Sequence, residues 1–233
     1  HVLFGLFLSQ LLFLALPVLL LLRLARLDVT DTLSLRRPRA RPMLGAVLVG
    51  CASWLPLNLA VEQLQNRILP MPEELQRRFV EALGLMDADR SLLVIIGVVA
   101  ITPAVCEELV FRGVILAGLR RSMTKWPAVV TTAVLFGLFH VVLYRILPTA
   151  LIGLVVTLAV WQTRSIFAGM LLHAMHNGLS VVMVRLRPEL LQPGAAGFST
   201  PLLIGLAVVL LAGLVLMLYP TRPAAATGTS PPG

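Results

Sequence analysis

Ionisable and amide side chains occur inside apolar stretches of this chain, where they are costly. They are Glu107, Glu108 and Arg112 in one stretch, His140 in a second, and His173 and Asn177 in a third. A charged side chain at the centre of a membrane helix costs about 2.5–3.5 kcal/mol on insertion scales, and such residues usually have a function. These six residues are therefore the first candidates for chemistry.

Helical spacing predicts how these side chains are used. Glu108 and Arg112 are four residues apart, so they share a helix face and can form an ion pair. Glu107 is rotated by about 100° from Glu108 and points elsewhere, which leaves one carboxylate available for chemistry. His173 and Asn177 are also four residues apart and share a face, with His176 at its edge.

The depth of these residues in the membrane also favours a common site. Counted from the presumed cytoplasmic helix ends, Glu107 lies roughly 16 Å deep and His140 roughly 20 Å deep. The same helical rise puts His173 at roughly 11 Å and Asn177 at roughly 17 Å. Four polar groups from three helices can therefore meet in one layer.

This set of groups suits the hydrolysis of a peptide bond. A carboxylate and an imidazole can deprotonate a water molecule, and imidazole and amide donors can each stabilise an oxyanion by about 3–4 kcal/mol. The sequence contains neither a G-x-S-x-G elbow nor an H-E-x-x-H motif, and neither cysteine adjoins a histidine. The residues predict hydrolysis by glutamate-activated water, with or without a metal.

Long apolar runs must carry these groups. We predict seven membrane spans, at about 2–22, 43–60, 91–118, 127–147, 148–163, 166–184 and 199–219. Lipid offers backbone groups no hydrogen-bond partner, so the spans should be helical, and they are too continuous for the alternating strands of a barrel. The predicted fold is an all-α, polytopic bundle with the active site within it, and Pro148 separates the fourth and fifth spans.

Composition and charge support a membrane protein. Hydrophobic residues make up 58% of the 233 residues and charged residues only 13%, with a mean hydropathy of +0.92; a soluble domain has about a quarter charged residues. The net charge of +8 comes from arginines that flank apolar runs. It indicates contact with the lipid bilayer and not with nucleic acid. Two cysteines exclude a disulfide framework.

The distribution of basic residues predicts the orientation. Six arginines lie between Arg23 and Arg41, which indicates a cytoplasmic loop. Alternation of the spans then gives eleven basic residues inside and seven outside. In the outer loop, residues 73–83 have helical apolar spacing, and they could lie on the membrane surface or form a solvated connecting helix.

We divide the chain into four parts. Residues 1–90 hold N-terminal membrane helices and the amphipathic loop, 91–185 the catalytic core, 186–220 a C-terminal membrane helix and 221–233 a disordered tail. The first run lacks a signal-peptide pattern and is interpreted as a membrane helix. The chain opens with His1, so more residues could precede it, and fusion to or association with a transporter permease is one alternative for the N-terminal part.

Three short motifs carry a resemblance to a known family. Glu107-Glu108-x-x-x-Arg112, Phe136-x-x-x-His140 and His173-x-x-x-Asn177 occur in this order on membrane helices. Together they resemble the motif set of the CAAX protease and bacteriocin-processing (CPBP, or Abi) family. This family comprises intramembrane endopeptidases, and its type II CAAX prenyl endopeptidases remove the terminal tripeptide of prenylated proteins. The resemblance covers roughly residues 91–185.

The resemblance implies a role for each matching residue. Glu107 would activate water with the help of His140, and His173 and Asn177 would bind the oxyanion. Glu108 and Arg112 would be supporting partners. No cofactor is required in this interpretation, but a divalent metal such as zinc is an alternative, and Glu107, His140 and His173 would then be its ligands.

The substrate remains open at this stage. A membrane-associated peptide or protein is expected, prenylated or not, and a bacterial plasma membrane is the expected location. The alternative functions are a non-catalytic membrane scaffold or bacteriocin-immunity protein of the same fold, and a proton or ion pathway. A pathway should distribute its polar groups across the bilayer, whereas these residues cluster at one depth.

Overall fold

Helices form almost all of the chain that the structure describes. The computed structural model describes residues 1–53, 69–85, 87, 89–187 and 199–219, and no strand occurs among them. The helices in chain order are α1 (Val2–Leu24), α2 (Val29–Thr32), α3 (Ala40–Ser53), α4 (Glu73–Leu83), α5 (Leu92–Leu119), α6 (Lys125–Phe139), α7 (Leu143–Thr163), α8 (Ile166–Leu186) and α9 (Thr200–Leu218). The predicted all-α class is confirmed.

Five of these helices are long and apolar enough to cross a membrane, namely α1, α5, α7, α8 and α9. They contain 19 to 28 residues, and a span of the hydrocarbon core takes about 20. The described part of α3 and helix α6 are apolar but shorter. The protein is therefore a polytopic helical membrane protein. Residues 54–60 of the second predicted span and the predicted tail at 221–233 lie outside the described residues.

The predicted boundary between the fourth and fifth spans is wrong. The chain reverses at residues 140–142 rather than at Pro148, which lies inside α7. Val141 adopts a left-handed conformation with φ of 57°, which ends α6 and redirects the backbone. Membrane helices tolerate proline because neighbouring groups satisfy the freed backbone atoms. His140 is consequently the C-terminal cap of a short helix and not a residue within a long span.

Glycines let the central helices pack closely. A Cβ atom at Gly137 of α6 would lie 2.6 Å from the carbonyl oxygen of Ile146 on α7, and one at Gly153 would lie 2.8 Å from the ring of Phe136. Helix α3 crosses α8 in the same way, because a Cβ at Gly50 would lie 2.7 Å from the carbonyl oxygen of Leu172. Small residues at helix crossings are typical of membrane bundles.

The loops group at the two ends of the bundle as the orientation requires. The backbone N–H of Ile166 donates to the carbonyl of Ser34, and the hydroxyl of Ser165 donates to the carbonyl of Arg36 at 2.7 Å. These bonds join the arginine-rich segment after α1 to the turn between α7 and α8. These two predicted cytoplasmic segments therefore lie at the same end of the bundle.

Helix α4 confirms the predicted amphipathic helix at residues 73–83. Its buried residues Val80 and Leu83 pack with Ile95 of α5 and Val181 of α8. Its charged side is exposed, and hydrogen bonds from Arg78 and Arg77 lower the pKa of Glu74. The helix is therefore seated on the end of the bundle opposite the arginine-rich segment.

Candidate active site

A buried ion pair on α5 forms the base of the site. Nη1 of Arg112 lies 2.6 Å from Oε1 of Glu108, and both side chains are fully buried. This is the pair expected from their four-residue spacing. A π-helical turn at Leu109–Ile115 follows Glu108 directly, and such turns are frequent at functional sites.

Helix α7 satisfies the rest of the Arg112 guanidinium. Nε donates to the hydroxyl of Thr157 at 3.1 Å, and Nη2 donates to the carbonyl of Gly153 at 2.8 Å. A buried charge is tolerated only when it is paired and hydrogen-bonded. Arg112 therefore fixes α5 against α7 and neutralises Glu108.

His173 of α8 joins this pair. Its Nδ1 lies 3.0 Å from Oε1 of Glu108, the oxygen that also accepts from Arg112. A carboxylate only accepts hydrogen bonds, so Nδ1 of His173 carries a hydrogen. Gly169 makes the approach possible, since a Cβ atom there would lie 3.0 Å from Oε2 of Glu108.

The ring of Phe136 on α6 packs against Arg112 and both imidazoles. The guanidinium carbon of Arg112 lies 4.5 Å from the ring centroid. The rings of His140 and His173 meet the Phe136 ring edge-on, with centroids 5.1 Å and 5.7 Å away. One aromatic ring thus contacts side chains from three helices, and it assembles both imidazoles around the ion pair.

His140 is held by its own helix end. Its Nδ1 lies 2.9 Å from the carbonyl oxygen of Phe136. A carbonyl accepts but does not donate, so Nδ1 carries the hydrogen and, in the neutral ring, Nε2 keeps its lone pair. A partly buried imidazole with a free lone pair is suited to accept a proton.

Glu107 lies on a different face of α5 from Glu108, as its position in the helix predicts. Its side chain is buried, and Oε1 accepts a hydrogen bond from Nε2 of Gln10 at 3.2 Å. Its Oε2 is buried and has no hydrogen-bond partner in the described part of the chain. Sequence reasoning missed Gln10, although an amide inside the apolar run of α1 is the same kind of signal that singled out Glu107.

Asn177 and His176 lie further along α8. Asn177 is partly buried one turn beyond His173, and across residues 1–53, 69–85, 87, 89–187 and 199–219 no hydrogen bond joins it to the other candidates. The neighbouring His176 is buried, and its Nδ1 lies 3.3 Å from the hydroxyl of Ser53 on α3. His176 therefore links α8 to α3.

The alternative metal ligands Glu107, His140 and His173 are not gathered into one cluster among the described residues. Within the described ranges, no three histidine, cysteine or acidic side chains lie close enough to hold an ion. Nδ1 of His173 is used by Glu108, and Nδ1 of His140 by a backbone carbonyl. These hydrogen bonds leave Nε2 of each ring as the atom that would bind a metal.

Comparison with known proteins supports the resemblance seen in the motifs. No curated protein and no solved structure matches the chain. Residues 89–179 match the sequence model of one family, described as type II CAAX prenyl endopeptidase Rce1-like. The matched segment includes Glu107, Glu108, Arg112, His140, His173 and Asn177. Through this segment of α5 to α8, the chain is therefore similar to the Rce1-like family of type II CAAX prenyl endopeptidases.

Proposed function

We propose that the protein hydrolyses a peptide bond of a membrane-associated protein or peptide, with Glu107 as the base that activates water. The observation that carries this proposal is the gathering of buried and partly buried polar groups from α5, α8 and the end of α6 around the Phe136 ring and the Glu108–Arg112 pair. A membrane bundle rarely buries such groups without a use for them.

The proposed reaction begins with water next to Glu107. The carboxylate takes one proton from the water while the water oxygen bonds to the carbonyl carbon of the substrate. Nε2 of His140 keeps its lone pair, since its Nδ1–H is engaged by the Phe136 carbonyl, and it assists by accepting the remaining hydroxyl proton when the tetrahedral intermediate collapses. The carbonyl becomes an oxyanion, which needs hydrogen-bond donors.

His173 and Asn177 are the proposed donors to that oxyanion. Because Nδ1 of His173 already donates to Glu108, the ring can donate through Nε2 only when both nitrogens are protonated. Glu108 and Arg112 act as supporting residues that orient this imidazole. The C–N bond then breaks, and the proton held by Glu107 passes to the leaving nitrogen.

A cleavage assay on purified protein in detergent tests the proposal. Wild type is incubated with a library of membrane-anchored peptides, prenylated and unprenylated, beside Glu107→Gln, Glu107→Ala and His140→Ala. Glu81→Gln is the control, because Glu81 is an exposed acid on α4. We expect cleavage by wild type and the control, and a loss of at least about 100-fold in the three site variants, the scale of one general-base contribution.

Two results would contradict the proposal. Undiminished cleavage by Glu107→Gln would remove Glu107 from the reaction. Absence of cleavage by well-folded wild type across the library would favour the non-catalytic membrane scaffold. Comparing the prenylated and unprenylated peptides also decides whether the substrate carries a lipid.

A further inference from the structure

Helix α1 contributes one polar side chain to the site although it lies outside the matched family segment. Gln10 is partly buried on α1, and the residues around it, such as Leu11 and Phe13, are exposed apolar side chains. Its Nε2 donates to Oε1 of Glu107 across 97 residues of sequence. The helix thus turns a single amide towards the proposed base.

The two partners of this hydrogen bond each keep one unsatisfied acceptor. Oε1 of Gln10 and Oε2 of Glu107 are both buried, and neither has a partner among the described residues. Two acceptors cannot satisfy each other, and an orphaned buried acceptor costs about 1–3 kcal/mol. A species with two hydrogens to donate, such as water, satisfies both.

An open surface groove adjoins Gln10. It has a volume of about 190 Å³ and is lined by Ser9, Gln10, Phe13, Leu14 and Phe139. This groove is large enough to admit a water molecule. Because Phe139 is the last residue of α6, the groove lies between Gln10 and the end of that helix.

Local helix geometry supports this pairing. A π-helical turn at Leu11–Ala15 begins directly after Gln10, and another at Leu109–Ile115 begins directly after Glu108. Each such turn inserts one extra residue and changes the face on which the following side chains lie. Gln10 and Glu107 therefore meet where both facing helices depart from regular α-geometry, as is frequent at functional sites.

We propose that Gln10 is a further residue of the catalytic centre, which orients Glu107 through Nε2 and accepts a hydrogen bond from the attacking water through Oε1. This inference rests on the proposed function. The water donates one hydrogen to Oε2 of Glu107, which removes it as the oxygen attacks. The second hydrogen of the water forms a hydrogen bond to Oε1 of Gln10 and stays on the water oxygen. A lone pair of that oxygen therefore points away from both acceptors.

The experiment compares two Gln→Met variants, because methionine keeps the length of glutamine and removes both polar groups. Gln10→Met is tested beside Gln162→Met; Gln162 also makes an interhelical bond, to the carbonyl of Leu218 at 2.8 Å, but away from the site. We expect Gln10→Met to lower kcat by about 10–100-fold, the scale of one hydrogen bond to a charged group. KM should stay within about twofold, while Gln162→Met should leave kcat and KM unchanged.

The outcomes separate this inference from the proposed function. A wild-type kcat in Gln10→Met, with Glu107→Gln inactive, overturns the role of Gln10 alone. So does a raised KM with unchanged kcat, which would make Gln10 a binding residue. Full activity of Glu107→Gln overturns both.

A second variant tests the same role of Gln10 if the methionine variant misfolds. If Gln10→Met does not fold, Gln10→Glu keeps the shape and polarity, but its carboxylate cannot donate to Glu107. The same loss of kcat is expected, and a wild-type kcat would overturn the inference.

Discussion

Removal of the Arg112 guanidinium should destabilise the protein strongly, because it leaves a buried carboxylate without its cation. In Arg112→Met, Oε1 of Glu108 keeps only the contact with His173, the Thr157 hydroxyl loses the donor to its oxygen, and the Gly153 carbonyl keeps only the hydrogen bond from Thr157. Breaking a fully buried pair from one side costs about 3–5 kcal/mol. For a chain of this size about 2–4 °C of melting temperature accompanies each kcal/mol, so we expect a fall of about 6–20 °C.

The assay is thermal unfolding in detergent, followed by tryptophan fluorescence. Arg77→Met is the control, because Arg77 pairs with Glu74 on the exposed side of α4, and it should leave the melting temperature unchanged within error. The double variant Glu108→Gln with Arg112→Met removes both charges and should be more stable than Arg112→Met alone. A melting temperature of Arg112→Met within about 2 °C of wild type, or strict additivity in the double variant, would refute the reasoning.

Three further outcomes are expected. Gly169→Ala should lower both stability and cleavage, because its Cβ would lie 2.5 Å from Cγ2 of Val160 and 3.0 Å from Oε2 of Glu108. The control Gly118→Ala should change neither, because the space around Gly118 is open. Equal melting temperatures of the two variants in thermal unfolding would contradict this expectation. Val141→Gly should raise the melting temperature by about 2–4 °C through relief of the left-handed conformation, whereas the same change at the extended Val142 should lower it. A chelator should leave cleavage unchanged, and activity lost on chelation and restored by zinc would contradict the metal-free chemistry.

Local relationships in the site were predictable from the sequence. The Glu108–Arg112 pair depends only on a four-residue separation within one helix, and the different direction of Glu107 depends only on helical rotation. The membrane class followed from composition, since only lipid suits so many apolar residues. For the same reason Gln10 could have been found: it is an amide within a long apolar run.

Relationships between helices were not predictable in the same way. Apolar runs alone did not locate the end of α6, because no proline or glycine marks the left-handed turn at Val141. Pro148, which predicted a helix boundary, lies inside α7 instead. As a result His140 was expected inside a span, whereas it caps the end of a short helix. A helix end can be set by tertiary contacts when its residues are apolar throughout.

Residue types and their spacing identify the chemically unusual side chains, their phase within each helix and the lipid environment of the bundle. The hydrogen bond from His173 to Glu108, the contacts of Phe136 with both imidazoles and the hydrogen bond from Gln10 to Glu107 become visible only when the helices are packed together. The physical reason is that periodicity is a local property. Contacts between helices depend on crossing positions and rotational phase, and the close approaches at glycines and the π-helical turns change both.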